Sequence, residues 1–514
     1  MTPSPIRKVL IVGGGTAGWM TAAALSKVLN TKGVEVTLVE SDAIATVGVG
    51  EATIPPITTF NQILGIDEAE FMRATKGSFK LAIEFIDWKH KGHRYQHPFG
   101  NFGLDIEALK FHQFWLRSLH EGWSRDIDDY NLPATAVNLG RFALPSKDPG
   151  QVMSALKYAF HFDAGLYAKY LRGYAEKRGV TRVEGKVGSV QQNGETGFVT
   201  GVTLEDGRVL EADLFVDCTG FRSLLLGEAL GVPFKDCGDV LFCDTALAVQ
   251  IPYAHEDSPI ASHTISTAQS AGWIWDIGLP TRRGTGHVFS SNHISDDEAE
   301  RDLRAYLGPA GKDLAVRKIK IRSGHRETFW KRNCVAVGLA AGFLEPLEAS
   351  AIVLIELSAK LIAEQMPRCR EVMDVVASRF NATTHYRWGR IIDFLKLHYV
   401  LTKRTDSAFW RDNVRPETIP ERLQELMLLW KYQSPWFHDE FDRVEEVFPP
   451  ASYQYVLYGM GFRTEVEPEA LAGDMRLAER AIRENATQTE RLRAGLPRHR
   501  DLIRKIQEHG LQPV

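Results

Sequence analysis

Cysteine is scarce in this 514-residue chain. Cys218, Cys237, Cys243, Cys334 and Cys369 are scattered, and no two of them form a CxxC pair. An odd, unpatterned set excludes a disulfide-stapled secreted scaffold and a structural zinc site, and points to a reducing cytoplasm. A block of positive charge is missing too. Lys and Arg number 61 against 65 Asp and Glu, a formal net charge of −4, so neither nucleic acid nor an anionic membrane is implied as a partner. No apolar stretch approaches membrane-spanning length without charges. The start, MTPSPIRKVLIVGGG, has no long apolar run ahead of a small-residue cleavage site, so no signal peptide is expected. No repeat or low-complexity segment is evident.

What is present is the composition of an ordinary globular protein, 44% hydrophobic and 25% charged, with length enough to bury a sizeable core. The apolar run at 7–12 (RKVLIV) reads as a buried parallel strand. A glycine cluster and the helical pattern WMTAAALSKVL follow, then a second strand at 34–40 (VEVTLVE). That is a β-α-β unit of dinucleotide-binding type. Residues 41–57 read as an ordered loop, and 111–123 and 163–178 as helices. The stretch 181–220 alternates around the turn signal Asp206-Gly207, which predicts a hairpin or meander ending in the strand DLFVDCTG. Strands recur over 240–290. Ser295 is the expected N-cap of a helix with an acidic first turn. Residues 334–338 (CVAVG) predict another buried strand, and helices are expected at 351–366, 370–402, 418–432 and 468–494.

Gly13, Gly15 and Gly18 spell G-x-G-x-x-G between the first strand and the first helix. The glycines permit a tight turn, close approach of a pyrophosphate and close helix–strand packing, and the helix N-terminus offers N–H groups to phosphate. Glu40 ends the second strand, where an acid can bond ribose hydroxyls. The motif does not separate FAD from NAD. The later strand–glycine element Asp213–Gly220 favours FAD by analogy with two-part flavoproteins.

Several segments point the same way: GGGTAGW, VGVGEATIP at 47–55, SFKLAIEFIDW at 78–88, WIWDI at 273–277, GFLEPLE at 342–348 and SYQYVLYGMGF ending at 462. Together they resemble the flavin-dependent tryptophan halogenase family, from residue 7 to about residue 462. The resemblance implies an α/β fold: an FAD-binding Rossmann-like module with an inserted β-sheet over residues 1–400, and a mainly helical C-terminal module over 401–514 completing the substrate site. It implies FAD contacts at Gly13, Gly15, Thr16, Ala17, Gly18, Glu40, Val49, Gly50, Glu51, Ala52, Gly338 and Leu339. In the family, reduced FAD is supplied by a separate flavin reductase and reacts with O2 to a flavin hydroperoxide. Chloride or bromide attacks this, and the resulting hypohalous acid travels through a tunnel to the substrate. A homodimer is the family-level expectation.

The family's catalytic lysine matches Lys80 in FKLAIEF. A cation or amine there polarises hypohalous acid or forms a haloamine, and burial brings the neutral amine within reach. By itself a lone lysine at a strand end is usually exposed. The family's glutamate matches Glu348 in EPLE, with Glu345 the competing acid. A carboxylate near the reacting carbon stabilises the cationic ring intermediate and takes its proton. The plainer reading is an acid favoured at a helix N-terminus. The halide site implied by the family is the pair of backbone N–H groups of Ser350 and Ala351, at a helix start suited to anions. Here the chain reads EASA where the family commonly has ESTG.

Trp273, Trp275 and Ile277 form the family's W-x-W-x-I motif, which sets halogenases apart from flavin monooxygenases; the resemblance implies that Trp273 and Trp275 are substrate-site residues that keep substrate from reaching the flavin hydroperoxide directly, and Gly278 follows where proline is usual. Taken alone, the two tryptophans read as core. His97 and Phe99 match residues that sandwich the aromatic substrate, where ring stacking adds about 0.5–1.5 kcal/mol beyond area burial; a packed loop histidine and a core phenylalanine are the alternative. Free-tryptophan enzymes carry adjacent tyrosines that clamp the amino-acid end, and KYQSPWFHDEFDRVEEVF at 431–448 lacks them. The expected substrate is therefore an electron-rich, indole-type aromatic rather than free tryptophan. The competing readings are a flavin-dependent aromatic hydroxylase, against which Trp273 and Trp275 speak, and a non-catalytic flavin protein, against which Lys80 and Glu348 speak.

Overall fold

In the computed structural model the apolar run at 9–12 is buried on both faces, as a run without alternation requires. The structure describes residues 4–29, 33–44, 50–103, 110–145, 156–436, 446–466 and 496–511, with single positions between 471 and 487. Two units can be distinguished, each assembled from three stretches of chain. One comprises Met1–Lys76, Phe162–Gly238 and Arg322–Gly389; the other comprises Gly77–His161, Asp239–Ile321 and Arg390–Val514.

In the first unit Lys8–Val12 lies inside a six-stranded sheet. The order is Trp330–Lys331, Cys334–Ala336, Leu214–Asp217, Lys8–Val12, Glu35–Glu40, Thr181–Glu184. All neighbours run parallel except the edge strand Trp330–Lys331. The helix Thr16–Leu29 is rich in alanine and buries residues around much of its circumference. It packs against the helices Ala164–Glu176 and Ser350–Glu364, and the former is capped by Asp163, whose side chain accepts from the Leu166 N–H. The expected meander is present as Val187–Gln192, Val199–Leu204 and Val209–Glu211, antiparallel throughout. The strand Leu214–Asp217 ends in a buried carboxylate. Asp217 accepts from the N–H groups of Leu225 and Leu226 at 2.9 and 2.8 Å and from Thr219 Oγ1 at 2.6 Å, which fixes the turn beyond the strand.

The second unit is built on a seven-stranded sheet in the order Arg317–Lys320, Thr245–Pro252, Arg282–Phe289, Gly272–Gly278, His263–Ala268, Ala82–Ile86, Arg94–Pro98. Its register puts Trp275 opposite Ser266, Ser266 opposite Phe85, and Phe85 opposite Tyr95. Because side chains alternate along a strand, Trp273, Trp275, Phe85, Tyr95 and His97 share one face. Rings from the C-terminal stretch cover it: His398 lies 4.9 Å from Phe85, and Phe394 lies 5.8 Å from His97. The opposite face carries Leu247, Val249, Ile251 and Ile274 against Ala299, Leu303 and Leu307 of the helix Asp296–Leu307. Ser295 caps that helix as expected, in a reciprocal capping box with Glu298.

The helices expected at 418–432 and 370–402 are Glu421–Leu429 and Met373–Val400. Most of the helix expected at 468–494 lies outside the described residues. Short elements were harder to anticipate: the strands Ser78–Lys80 and Arg94–Pro98 and the helices Leu132–Leu139 and Pro450–Gly459 are too brief to show a period. Among the described residues no helix is long and apolar enough to cross a membrane.

Candidate active site

In the first unit the glycine turn forms a tight cradle at the N-terminus of Thr16–Leu29. A Cβ at Gly18 would stand 1.9 Å from the Gly13 carbonyl oxygen, so only glycine lets the helix start this close to the strand. Gly338, expected as a cofactor contact, adopts φ +69° at the start of the short 3₁₀ turn Gly338–Ala340, and a Cβ there would stand 2.6 Å from the Cβ of Ala17. Two separate glycine turns thus meet at one helix N-terminus, with Leu339 half-buried beside them. Thr16 Oγ1 donates to the Ala164 carbonyl at 3.4 Å. This glycine-lined, N–H-rich corner fits a dinucleotide pyrophosphate. Gly15 belongs to the same turn.

Glu40 ends its strand where the expectation put it. Its carboxylate is engaged by Arg182 at 2.7 Å and accepts from Trp19 Nε1 at 3.4 Å. Gly50, Glu51 and Ala52 form a short strand, and Val49 lies outside the described residues. Burial, reinforced by the negative charge of Asp163, pushes the Glu51 carboxyl up from 4.5 to about 7.

Glu348 and the expected halide donors also belong to the first unit. Pro346–Glu348 is a 3₁₀ turn, and Glu345 and Glu348 are both fully buried. Ala349 follows at φ 54°, ψ 36°, a left-handed conformation unusual outside glycine. It redirects the chain into the helix Ser350–Glu364 and stands at its N-cap position, so Glu348 lies one residue ahead of the cap. Ser350 and Ala351 are the first two helical residues, whose N–H groups have no acceptor within the helix.

Lys80 belongs to the second unit and is wholly buried. It ends the strand Ser78–Lys80, which pairs antiparallel with residues 159–161: Lys80 faces Ala159 and Ser78 faces His161. Lys80 and His161 are therefore diagonal neighbours on one face. Burial first, then the positive charge of Lys80, holds His161 neutral well below the usual histidine range. Its Nε2 lies 2.9 Å from Thr264 Oγ1. Three bonds pin the strand. Ser78 Oγ donates to the Gly278 carbonyl at 2.5 Å, the Phe79 N–H donates to His499 Nε2 at 3.1 Å, and the Leu81 N–H donates to Ser262 O at 2.8 Å. With Nε2 accepting, His499 Nδ1–H is the donor to Ile260 O at 2.9 Å, and burial lowers this imidazole to about 4.

Phe99 meets Lys80 directly: Nζ stands 5.4 Å from the ring centroid, within cation–π range. The Phe99 N–H donates to Leu81 O at 2.9 Å, which extends the strand pairing by one step. His97 is buried two residues earlier, 6.1 Å from the Tyr455 ring. The structure thus brings Lys80 and Phe99 together, with His97 two residues before Phe99 in the chain. Trp273 and Trp275 sit mid-sheet, 6.4 Å apart, with Trp88 6.4 Å from Trp273. Both are buried, and their strand is tied to the strand of Lys80 through the Gly278–Ser78 bond. A Cβ at Gly278 would stand 3.0 Å from Ile260 and 3.1 Å from Tyr253 Oη, a tight fit for any side chain at this position.

Three residues of this neighbourhood carried no motif, Asn131, His161 and His499, while a fourth, Tyr455, lies within the segment SYQYVLYGMGF; all four are buried. Only Asn131 had a legible signal, an N-cap residue ahead of Leu132-Pro133. Of the segment at 431–448, residues 437–445 lie outside the described residues; Trp436 stacks 5.0 Å from His112.

Residues 8–474 match the protein family described as tryptophan halogenase. Tryptophan 6-halogenase SttH of Streptomyces toxytricini is 37% identical over 504 residues, 93% of this chain and 95% of its own. Among solved structures, BrvH, a flavin-dependent halogenase from Brevundimonas sp. BAL3, superposes with a TM-score of 0.91 at 41% identity, covering 97% of this chain and 99% of its own. Xcc4156, a flavin-dependent halogenase from Xanthomonas campestris, gives 0.90 at 39% identity, with 98% of each chain covered.

Proposed function

The chain belongs to the tryptophan halogenase family, and from that premise we propose that Lys80 and Glu348 carry its chemistry and that an indole-type aromatic is its substrate. It is a flavin-dependent halogenase. The glycine cradle at Gly13–Gly18 and Gly338, with Leu339, Glu40 and the strand Gly50–Ala52, would hold FAD. When bound in reduced form, FAD supplies the electrons with which O2 and a halide yield hypohalous acid. Ser350 and Ala351 N–H groups would hold the chloride or bromide at the helix start.

Lys80 then acts on the oxidant. Its N–H donates to the hypohalous oxygen, polarising the O–X bond. As a ring carbon takes the halogen, the O–X bond breaks and the oxygen leaves as water with a proton from the lysine. Glu348, as carboxylate, stabilises the cationic ring and takes the displaced ring proton. The observation that supports this reading best is the lysine itself, wholly buried with its charged end 5.4 Å from Phe99. Lysine is rarely found at this depth, because burying a cation is costly. His97 and Phe99 would flank the aromatic substrate, and the helical stretch after residue 401 would complete its slot through Tyr455. The missing tyrosine pair at 431–448 favours an indole over free tryptophan. A separate flavin reductase and a homodimer belong to the same reading, and so does a cytoplasmic setting.

The test is mass spectrometry of indole incubated with the protein, FAD, a flavin reductase, NADH and either halide. A halide-dependent gain of one halogen supports the reading. A gain of oxygen alone would replace it with hydroxylation.

A further inference from the structure

One buried amide and one buried phenol hold the loop that presents Phe99. Asn131 is 1% exposed and Tyr455 is fully buried. Asn131 Nδ2 lies 3.2 Å from Phe99 O and 3.0 Å from Asn101 O, and Tyr455 Oη donates to Gly100 O at 3.3 Å. The two side chains thus capture three successive carbonyls of a stretch that belongs to no helix or strand. They also bond each other, Nδ2 to Oη at 2.8 Å. Asn131 Oδ1 accepts from the Ala134 N–H at 2.9 Å, so the amide is anchored to its own helix, Leu132–Leu139, as N-cap. The two amide protons serve three acceptors, Phe99 O, Asn101 O and Tyr455 Oη, one proton being shared in a three-centre bond, and Oδ1 is committed to the cap.

This arrangement bears on the rings. The Tyr455 ring lies 6.1 Å from His97 and 5.2 Å from Phe102. Phe99 itself sits over Lys80. Backbone and ring positions across residues 97–102 therefore converge on one polar pair. We propose that Asn131, with Tyr455, is a positioning residue for halogenation: it fixes the Phe99 loop and so sets which ring carbon of the substrate lies at Lys80. The inference rests on the reading that His97 and Phe99 flank the substrate.

Asn131→Asp keeps the oxygen that caps the helix and removes both N–H donors. Tyr455→Phe keeps the ring and removes only the hydroxyl, and it serves if the buried acid prevents folding. Two signals are read on the flavin-loaded enzyme: halogenation of monochlorodimedone, a soluble halogen acceptor, and the isomer distribution of halogenated indole. Misplacement of a reacting group by 1 Å can cost about 100-fold, so ring halogenation in Asn131→Asp is expected to fall at least tenfold (about) while the acceptor signal stays within about twofold. The indole isomers spread in both variants. Unchanged isomer ratios in both variants would overturn the proposal, as would an equal fall of both signals, which marks a purely structural role. If the unaltered enzyme halogenates neither compound, it is the halogenase reading that fails.

Discussion

Lys80 Nζ stands 5.4 Å from the centre of the Phe99 ring, with the lysine wholly buried and the ring 6% exposed. The ring serves the cation electrostatically, and in the proposed reading it would offer a π-face to a flat substrate. Phe99→Leu retains apolar volume and loses both. Stacking worth about 0.5–1.5 kcal/mol corresponds to a rise in KM for indole of about twofold to about tenfold. Steady-state kinetics check this, and an unchanged KM would remove Phe99 from the slot.

Gly338→Ala tests the cofactor cradle. An L side chain in the left-handed region costs about 1–2 kcal/mol, and this Cβ would also strike Ala17 at 2.6 Å. FAD affinity is expected to fall by about tenfold or more, read by fluorescence titration. Wild-type affinity in a folded variant would mean that FAD does not use this turn.

Glu51 makes stability depend on pH. The folded chain keeps its proton up to about 7, whereas the unfolded chain releases it near 4.5. The folded state therefore binds more protons across that window, and stability falls as pH rises through it. Glu51→Gln has no proton to lose. Its melting temperature relative to the unaltered protein is expected to climb between pH 5 and pH 7.5, and a constant difference would contradict the assignment.

Ala349 holds φ 54° directly between Glu348 and Ser350. Ala349→Gly relieves the left-handed strain and leaves stability unchanged or raised by up to about 1 kcal/mol. Ala349→Val lowers it. Glu348→Gln should still fold and bind FAD, with the chemical step slowed by about 100-fold, the usual scale for a lost general base.

The β-α-β start was legible because it combines an apolar run, fixed glycine spacing and an acid at the next strand end. Ser295 was legible because capping is local. The lysine site was not legible from periodicity: Ser78–Lys80 is three residues long, and its partners come from residues 159–161, Gly278 and His499. Resemblance alone marked Lys80. It could not mark Asn131, His161 or His499, single polar residues whose roles arise from long-range pairing. Trp273 and Trp275 show the converse, a recognisable motif whose two rings are buried in the sheet.

The measurement that bears most directly on the whole account is halogenated-indole formation by Lys80→Ala beside the unaltered enzyme, with FAD binding measured on both. The expected result is bromide- or chloride-dependent product from the unaltered enzyme, FAD bound by both, and no halogenated indole from Lys80→Ala. Halogenation at the unaltered rate by Lys80→Ala would contradict it.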